Sequence, residues 1–289
     1  MRAILLIVAG KPLEGTVKKI KTFFRVVLIT WHLALGTIVA LLLLWPLSMF
    51  RFSFLWNLQG WIVQQWNRIL CVILGLKVTM QGERSDSPAL LVANHISWLD
   101  IVGLLAHGRG VFLAKSEVRH WPVIGWLCDR AGTLFIARGA AGAADRACKQ
   151  IRNALVLGKN VYIFPEGTST DGQKVRPFFP RLLEAAIATG VSIQPVALQY
   201  KRDGDRDRIA PFVGDDDFTS HLFRVLEQNT TELCINFLPV ISTENRERRE
   251  LAKLARRKIE TIVLSDREHP GPSDVDGSLF KATGGEEAT

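Results

Sequence analysis

Residues 89–107 of the chain read ALLVANHISWLDIVGLLAH, and this stretch decides the fold. Its first part, Ala89–Val92, is a short apolar run typical of a buried strand, and Ile101–His107 is apolar enough for a packed helix. The polar turn between them offers Ser97, a residue type that begins helices well, with Asp100 three positions later. A strand that leads through a short loop into a helix is the basic unit of an α/β sheet.

The same alternation continues on the C-terminal side of this unit. The predicted strands are Ala89–Val92, Val111–Leu113, Thr133–Ile136, Val161–Phe164, Ile193–Leu198 and Cys234–Val240. The predicted helices are Ile101–His107, Ala140–Leu157, Arg181–Ala188, Phe218–Glu227 and Arg246–Leu264. We therefore expect an α/β domain over residues 78–265, with a mixed, largely parallel sheet flanked by helices. Residues 266–289 are rich in Gly, Pro, Ser and acidic residues, and we expect a disordered tail there.

The N-terminal residues 1–77 have the character of a membrane anchor. Val26–Leu47 carries no formal charge and would form a helix about 33 Å long, with basic residues on both sides. This favours a membrane helix over a buried core helix, but it leaves open whether the helix spans the bilayer or enters and returns. Trp56–Ile73 follows with apolar residues at helical spacing. Such an amphipathic helix could lie at the membrane interface or pack on the globular core.

The net positive charge of the chain indicates anionic binding partners. The formal net charge of the 289 residues is +8, so both nucleic acid and anionic lipid fit as partners. The long apolar segment favours membrane lipids, and because no nucleic-acid-binding motif accompanies the charge we expect no nucleic acid. Arg246–Leu264 contains seven Lys or Arg residues and is either an ordinary surface helix or a basic face toward phospholipid headgroups.

Four cysteines occur in the sequence, at positions 71, 128, 148 and 234. No pair has the spacing of metal ligands or of a Cys-x-x-Cys motif. We expect free, buried thiols in a reducing compartment and no metal.

The first candidate site is the pair His95 and Asp100, directly after a predicted strand. A neutral histidine is the side chain best suited to accept a proton near neutral pH, and a carboxylate on its other ring nitrogen fixes its tautomer. Positions five apart lie about 140° apart on a helix, so the two can meet only across a turn. A helix beginning at Ser97 would leave His95 in the loop and place Asp100 in the first turn. The alternative is that Asp100 only stabilises the helix and His95 is only a polar turn residue.

Two further blocks follow other predicted strands. Glu166, after Val161–Phe164, could bind acceptor hydroxyls, and Gly167 would let the backbone approach a ligand, although Pro-Glu-Gly can also be a simple turn. Arg138, after Thr133–Ile136, is suited to hold a phosphate through paired hydrogen bonds, or it is simply solvated.

Together the blocks resemble the lysophosphatidic acid acyltransferase family, which also includes glycerol-3-phosphate acyltransferases. Asn-His-x-x-x-x-Asp is matched at Asn94, His95 and Asp100, and Gly-x-x-Phe-Ile-x-Arg at Gly132, Phe135, Ile136 and Arg138. Phe-Pro-Glu-Gly-Thr is matched at Phe164–Thr168, an apolar Pro-Val strand at Pro195–Leu198, and Ala-Lys-x-Glu at Ala114–Glu117. The resemblance covers about Val78–Val240 with the blocks in the right order, and jointly they are specific.

The resemblance implies that His95 and Asp100 are catalytic. His95 would deprotonate the hydroxyl of a lysolipid, which then attacks the thioester of acyl-carrier protein or acyl-CoA without an acyl-enzyme. The oxyanion would be bound by backbone N–H groups or Lys115. The implied substrate-binding residues are Asn94, Lys115, Arg138, Glu166, Gly167 and Thr168. No cofactor is expected beyond the acyl donor as co-substrate. The implied location is the inner (cytoplasmic) membrane, with the active site facing the cytoplasm.

One position departs from the family pattern. The family has an arginine after Glu-Gly-Thr that is associated with the acceptor's phosphate, and this chain has Ser169. The lyso-ornithine lipid acyltransferase branch tends to have Ser or Thr there, and its acceptor has no phosphate. The resemblance therefore favours lyso-ornithine lipid over lysophosphatidic acid, although Arg176 or Arg181 could replace the missing arginine. A catalytically silent membrane-binding protein is a more distant alternative, which the intact His95, Asp100 and Glu166 argue against.

Overall fold

The computed structural model describes residues 2–44, 53–137 and 139–265. The helices are α1 (Arg2–Val39), α2 (Ser53–Leu74), α3 (Leu99–His107), α4 (Ile124–Arg130), α5 (Ala143–Val156), α6 (Glu184–Ile187), α7 (Phe218–Glu227) and α8 (Arg248–Ser265). The strands are β1 (Leu76–Gln81), β2 (Leu90–Ala93), β3 (Val111–Lys115), β4 (Leu134–Ile136), β5 (Val161–Ile163), β6 (Ile193–Arg202), β7 (Asp205–Arg206) and β8 (Thr231–Phe237). Ala40–Leu44 continues α1 as a π-helical turn, and Ser116–His120 and Pro180–Leu183 are 3₁₀ turns.

The strands form one sheet in the order β1-β8-β6-β2-β5-β3-β4, with β7 paired to β6. All neighbouring pairs are parallel except β6 with β8 and β6 with β7. The prediction of a mixed, largely parallel sheet flanked by helices is therefore confirmed. Since β2, β3 and β5 are parallel neighbours, the loops after them meet at one edge, where ligands bind in open α/β sheets.

Two hydrophobic cores cover the two faces of the sheet. Along β2, Leu90 and Val92 point into a core that contains the buried sides of α5, α6 and α8. Leu91 and Ala93 point into the other core, which contains the buried sides of α3 and α7 and the end of α2. The alternation follows from the period of two in a strand, and the strand is apolar at every position because both faces are covered.

The apolar helix near the N-terminus is longer than predicted. Within the described residues one candidate membrane span is found, Gly15–Leu43, which begins well before the predicted start at Val26. Positions 45–47 of the predicted segment lie outside the described residues. The basic residues before it also contact protein: Lys21 and Arg25 donate hydrogen bonds to the carbonyl oxygens at the end of α7, from Leu226 to Asn229.

Of the two alternatives for the tryptophan-rich helix, the structure shows packing on the globular core, and a place at the membrane interface stays a prediction. Cys71 and Leu74 at the end of α2 are buried in the core beneath α3. Trp61, Ile69 and Val72 remain exposed. The helix therefore packs on the globular domain and keeps an apolar outer face.

Several elements differ from the predicted ones. The sheet begins with β1 at Leu76, which was not predicted because only alternate residues of this edge strand are apolar. The predicted helix Arg181–Ala188 is a 3₁₀ turn followed by the four-residue α6. The short helix α4 and the strand β7 were also not predicted, since neither is long enough to show a periodic pattern. The predicted tail, residues 266–289, lies outside the described residues.

Candidate active site

The predicted site residues gather at the carboxyl edge of three neighbouring strands. Asn94 and His95 follow β2, Glu166 follows β5, and Lys115 is the last residue of β3. Because these strands are parallel and adjacent, residues more than 70 positions apart in sequence are brought into hydrogen-bonding distance.

His95 and Asp100 form a close pair. The distance from His95 Nδ1 to Asp100 Oδ2 is 2.8 Å. Asp100 lies in the first turn of α3 and its side chain is fully buried, whereas the His95 side chain in the preceding loop retains 21% of its exposure. The predicted arrangement of loop and helix is therefore present, and the carboxylate fixes the proton on Nδ1 so that Nε2 can accept another.

The carboxylate of Asp100 is also the organising group of the turn. Its Oδ2 accepts hydrogen bonds from the backbone N–H groups of Ile96 (2.7 Å) and Ser97 (3.0 Å). The expectation that Ser97 would begin the helix by capping it is wrong: Trp98 is the N-cap residue, and the buried Ser97 hydroxyl has no partner among the described residues. Asp100 instead binds the N–H groups of the two residues that precede this N-cap.

Tyr200 on β6 completes the hydrogen bonds of Asp100, and sequence reasoning missed it. Its hydroxyl donates to Asp100 Oδ1 at 2.7 Å, and the side chain is buried. Burial, above all, raises the pKa of Tyr200 well above its usual value, so the phenol stays protonated and acts as the donor. The one feature of the sequence that could have indicated Tyr200 is its place two residues after the predicted strand Ile193–Leu198.

The ring of His95 stacks on Phe164, with ring centroids 4.1 Å apart and planes 12° apart. Among the described residues, no hydrogen-bond partner contacts Nε2 of His95. The imidazole is thus held on one face by an aromatic ring and at Nδ1 by Asp100, while its second nitrogen is available to a substrate.

Glu166 holds the histidine loop from the other side. Its Oε1 accepts a hydrogen bond from the N–H of His95 and its Oε2 from the N–H of Arg176, both at 2.8 Å. The residue is buried, and this burial raises the pKa of its carboxyl, which the two backbone bonds partly oppose. The geometry favours a positioning role over the predicted contact with acceptor hydroxyls.

Asn94 is likewise occupied by backbone groups. Its amide nitrogen donates to the carbonyl of Leu198 at 3.0 Å, and its amide oxygen accepts from the N–H of Leu198 at 2.8 Å. The side chain joins the end of β2 to β6 and braces the histidine loop, and its predicted contact with a substrate stays a prediction.

The other predicted binding residues lie at the rim. Gly167 has φ of +75°, and a Cβ there would come within 2.9 Å of the Phe179 ring, so glycine is needed at this turn. Thr168 and Lys115 are exposed. Arg138 lies outside the described residues, so its part in phosphate binding stays a prediction.

An apolar cleft of about 440 Å³ opens beside the histidine. Phe164, which stacks on His95, and Gly167 form the end of the cleft nearest the site. The cleft is lined by Leu113, Ile136, Gly139, Ala140, Ala143, Ala144, Phe164, Pro165, Gly167, Phe179, Arg181 and Leu182. Its predominantly apolar lining is suited to a hydrocarbon chain.

Ser169 is tied to a neighbouring loop. Its hydroxyl donates to the carbonyl oxygen of Phe212, and the N–H of Phe212 donates to the carbonyl of Ile96 at 2.9 Å. Thr170, the next residue, donates through its N–H to the carbonyl of His95 at 2.8 Å. Ser169 therefore connects the loop after β5 to the segment that carries Phe212, next to the histidine.

The two arginines that could replace the family's arginine differ in their contacts. Arg181 forms an ion pair with Asp145 at 2.6 Å and lines the cleft. Arg176 is exposed, and its backbone N–H is the group bound to Glu166. Within the described residues no cluster of His, Cys, Asp or Glu could hold a metal ion.

The geometry defines a class: an α/β enzyme with a histidine base, a buried carboxylate partner and an apolar cleft. Residues 76–199 match the family described as Acyltransferase. A lyso-ornithine lipid O-acyltransferase from Pseudomonas aeruginosa is 43% identical over 203 residues, which cover 70% of this chain and 78% of that protein. A protein of the same name from Brucella abortus is 33% identical over 251 residues, covering 81% of this chain and 93% of that one.

A solved structure has the same fold. The crystal structure of the 1-acyl-sn-glycerophosphate (LPA) acyltransferase PlsC from Thermotoga maritima superposes with a TM-score of 0.66 at 19% identity, covering 89% of this chain and 99% of that chain. The chain belongs to the acyltransferase family. It is a membrane-associated enzyme that acylates lysolipids, and the resemblance seen in its motifs is confirmed.

Proposed function

We propose that the enzyme transfers an acyl chain from an acyl thioester to the free hydroxyl of lyso-ornithine lipid, with His95 as the general base. The observation that carries the chemistry is the 2.8 Å contact of His95 Nδ1 with the buried carboxylate of Asp100, which leaves Nε2 for the substrate.

The reaction balances with the residues present. Nε2 of His95 takes the proton of the acceptor hydroxyl as that oxygen attacks the thioester carbonyl. The C–O bond forms, the C–S bond breaks, and the imidazolium returns the proton to the leaving thiolate. Backbone N–H groups or the ammonium of Lys115, at the same edge of the sheet, would stabilise the oxyanion. Between these two proton transfers, the carboxylate of Asp100 stabilises the imidazolium of His95.

The cleft beside Phe164 would hold the acyl chain. A chain bound along its apolar walls would have its carbonyl end near Phe164, whose ring stacks on His95. Burying the chain also brings the thioester out of water, which strengthens the electrostatic contacts at the carbonyl.

Ser169 supports lyso-ornithine lipid as the acceptor. A serine bound to the carbonyl of Phe212 supplies no positive charge where the family has a phosphate-associated arginine. Two of the similar proteins carry the name lyso-ornithine lipid O-acyltransferase. The second candidate acceptor is lysophosphatidic acid, which the name of the structural neighbour favours. Arg138 and the exposed Arg176 would then bind its phosphate.

We place the enzyme at the inner (cytoplasmic) membrane with its site facing the cytoplasm. The long apolar helix α1 provides the attachment, and acyl thioesters are made in the cytoplasm. The four cysteines are all free thiols, as expected in a reducing compartment, but the expectation that all are buried is wrong, since only Cys71 is. The donor, acyl-carrier protein or acyl-CoA, would be a co-substrate, and no resident cofactor is needed.

A comparison of acceptors tests the proposal. The purified chain in detergent would be given acyl-carrier protein or acyl-CoA together with lyso-ornithine lipid or lysophosphatidic acid, and kcat/KM would be measured for each pair. We expect lyso-ornithine lipid to be preferred. Robust turnover of lysophosphatidic acid with none of lyso-ornithine lipid would instead establish the second candidate.

A further inference from the structure

The outer face of α8 carries an unpaired basic stripe, formed by Arg249, Lys253 and Arg257. The three residues are four positions apart, all are exposed, and none has an acidic partner within the part of the chain that the structure describes. Of the other basic residues of α8, Arg248 forms an ion pair with Glu184 and Arg256 with Glu260, and Lys258 is half-buried. The stripe is therefore a distinct feature and not a general property of the helix.

Without an anionic partner, the like charges of the stripe repel one another and destabilise α8. Like charges at i and i+4 destabilise a helix by roughly 0.2–0.5 kcal/mol per pair. The stripe contains two such pairs and extends about 12 Å at 1.5 Å per residue. An anionic partner lying along the helix would convert this repulsion into attraction.

The position of α8 argues against the membrane as that partner. The buried side of α8, including Leu251, Ala255 and Ile259, belongs to the core on one face of the sheet. Val26 and Ile29 of the apolar helix α1 pack against the core on the opposite face. The sheet and both helical layers therefore separate the stripe from α1.

The stripe is connected to the acyl cleft. On its inner side α8 packs against the 3₁₀ turn Pro180–Leu183, whose residues form one wall of the cleft. Arg256 of α8 also donates to the carbonyl of Val175 at 3.0 Å, and the next residue, Arg176, is bound to Glu166 in the histidine site. A partner on α8 would thus lie beside the cleft without covering the histidine.

We propose that the stripe is the docking face for an acidic acyl-carrier protein that delivers the acyl thioester to the cleft. The inference rests on the proposed function, in which an acyl thioester is the donor. A convex helical ridge suits the surface of another protein, whereas a small donor such as acyl-CoA would be bound in a concave pocket. Electrostatic complementarity of this kind sets the association rate and the salt dependence of binding.

The test compares two full-length variants with the wild type. The stripe variant is Arg249→Gln/Lys253→Gln/Arg257→Gln, and the control with the same change of charge is Lys77→Gln/Lys149→Gln/Arg152→Gln, at exposed basic positions on β1 and α5. We expect the stripe variant to have a KM for acyl-carrier protein raised about tenfold, with kcat and the KM for acyl-CoA unchanged. High salt should raise the wild-type KM toward that of the variant, and the control should behave as wild type.

Other outcomes overturn the inference in distinguishable ways. An unchanged KM for acyl-carrier protein, or equal losses with both donors, would remove the stripe as a docking face. A stripe variant that loses binding to anionic liposomes instead would assign the stripe to lipid. If the wild type used acyl-CoA but not acyl-carrier protein, the docking proposal would fail and the acyl transfer would stand. If neither donor acylated any lysolipid, the proposed function itself would fail.

Discussion

At the residue scale the orientation of His95 depends on the hydrogen bonds that the carboxylate of Asp100 accepts. Four groups contact it: the imidazole of His95, the hydroxyl of Tyr200, and two backbone N–H groups. A buried carboxylate with hydrogen bonds to both of its oxygens is held rigidly, which is what orienting an imidazole requires. Tyr200 is thus a positioning residue that acts on the histidine through Asp100.

Replacing Tyr200 by Phe should change the pH profile as well as the rate. Without the phenol, the charge on Asp100 is less neutralised and stabilises the imidazolium of His95 more strongly. The acidic limb of kcat/KM should therefore move to higher pH, and kcat should fall because the carboxylate is less well held. The pH dependence of kcat/KM for purified protein is the measurement.

The only other tyrosine of the chain provides the control. Tyr162 is also buried, but its hydroxyl has no partner among the described residues, so Tyr162→Phe removes the same atom without touching Asp100. We expect the profile of Tyr162→Phe to match the wild type. A Tyr200→Phe profile identical to that of Tyr162→Phe would show that Tyr200 only fills the core.

Replacing Ser169 by Arg should shift the acceptor preference toward lysophosphatidic acid. The arginine would add a charge-assisted contact to phosphate, worth roughly 1.5–3 kcal/mol, or one to two powers of ten in kcat/KM. Use of lyso-ornithine lipid should decrease because the bond to the Phe212 carbonyl is lost.

Ser169→Ala separates the two effects. It removes the bond to Phe212 without adding charge, so it should lower activity on both acceptors without reversing the preference. If the ratio of kcat/KM values for the two acceptors were the same in the wild type and in Ser169→Arg, Ser169 would not determine specificity.

At the element scale, local patterns predicted the histidine turn but not what surrounds it. The strand, the turn and the helix lie within 19 residues, so local spacing indicated how His95 could meet Asp100 across a turn. The partners of this turn come from elsewhere: Tyr200 is 100 positions from Asp100, and Glu166 is 71 positions from His95. Which residue of a distant strand meets the turn depends on strand order and register, and neither has a local signature.

The loop after β5 yields a prediction for Glu166→Gln. Glutamine offers only one acceptor in place of two, so the N–H of His95 or of Arg176 would lose its partner at a cost of about 1–3 kcal/mol. We expect kcat to fall because the histidine loop is less well held, with little change in KM for the thioester.

The difference in stability between the wild type and Glu166→Gln should depend on pH in a defined direction. Burial raises the pKa of Glu166, so between its ordinary and its raised pKa the unfolded chain holds fewer protons than the folded one. Within that window the free energy of unfolding of the wild type, relative to Glu166→Gln, should fall as pH rises. Urea unfolding of both proteins across the window measures this difference, and a rise with pH would contradict it.

At the scale of the whole molecule, the sequence predicted the architecture well. Apolar strands covered on both faces and long helices with an apolar side have strong patterns, and Phe218–Glu227 was placed with both ends correct. The contacts of the N-terminal helix were not predictable. Lys21 and Arg25 look like the basic residues that flank a membrane helix, yet they donate hydrogen bonds to the carbonyl oxygens at the end of α7.

The exposed apolar face of α1 should account for most of the membrane binding. Trp31 and Leu35 are 72% and 55% exposed, and burying two such side chains in lipid contributes about 3–6 kcal/mol. Trp31→Gln/Leu35→Gln should therefore weaken binding to liposomes about a hundredfold or more. Val156→Gln/Leu157→Gln changes two similarly exposed residues at the end of α5 and should have no such effect. Equal losses in both variants, measured by liposome sedimentation, would contradict this assignment.

The role of His95 as the base for acylation of a lysolipid can be tested by comparing product formation in the wild type and in His95→Ala. Purified wild type and His95→Ala would be incubated with lyso-ornithine lipid and an acyl thioester, and the diacylated product would be quantified by mass spectrometry. Circular dichroism and liposome binding would establish that the variant is folded and membrane-bound. We predict a rate lower by about two to four powers of ten in His95→Ala. Product formation at the wild-type rate by the folded variant would contradict the account.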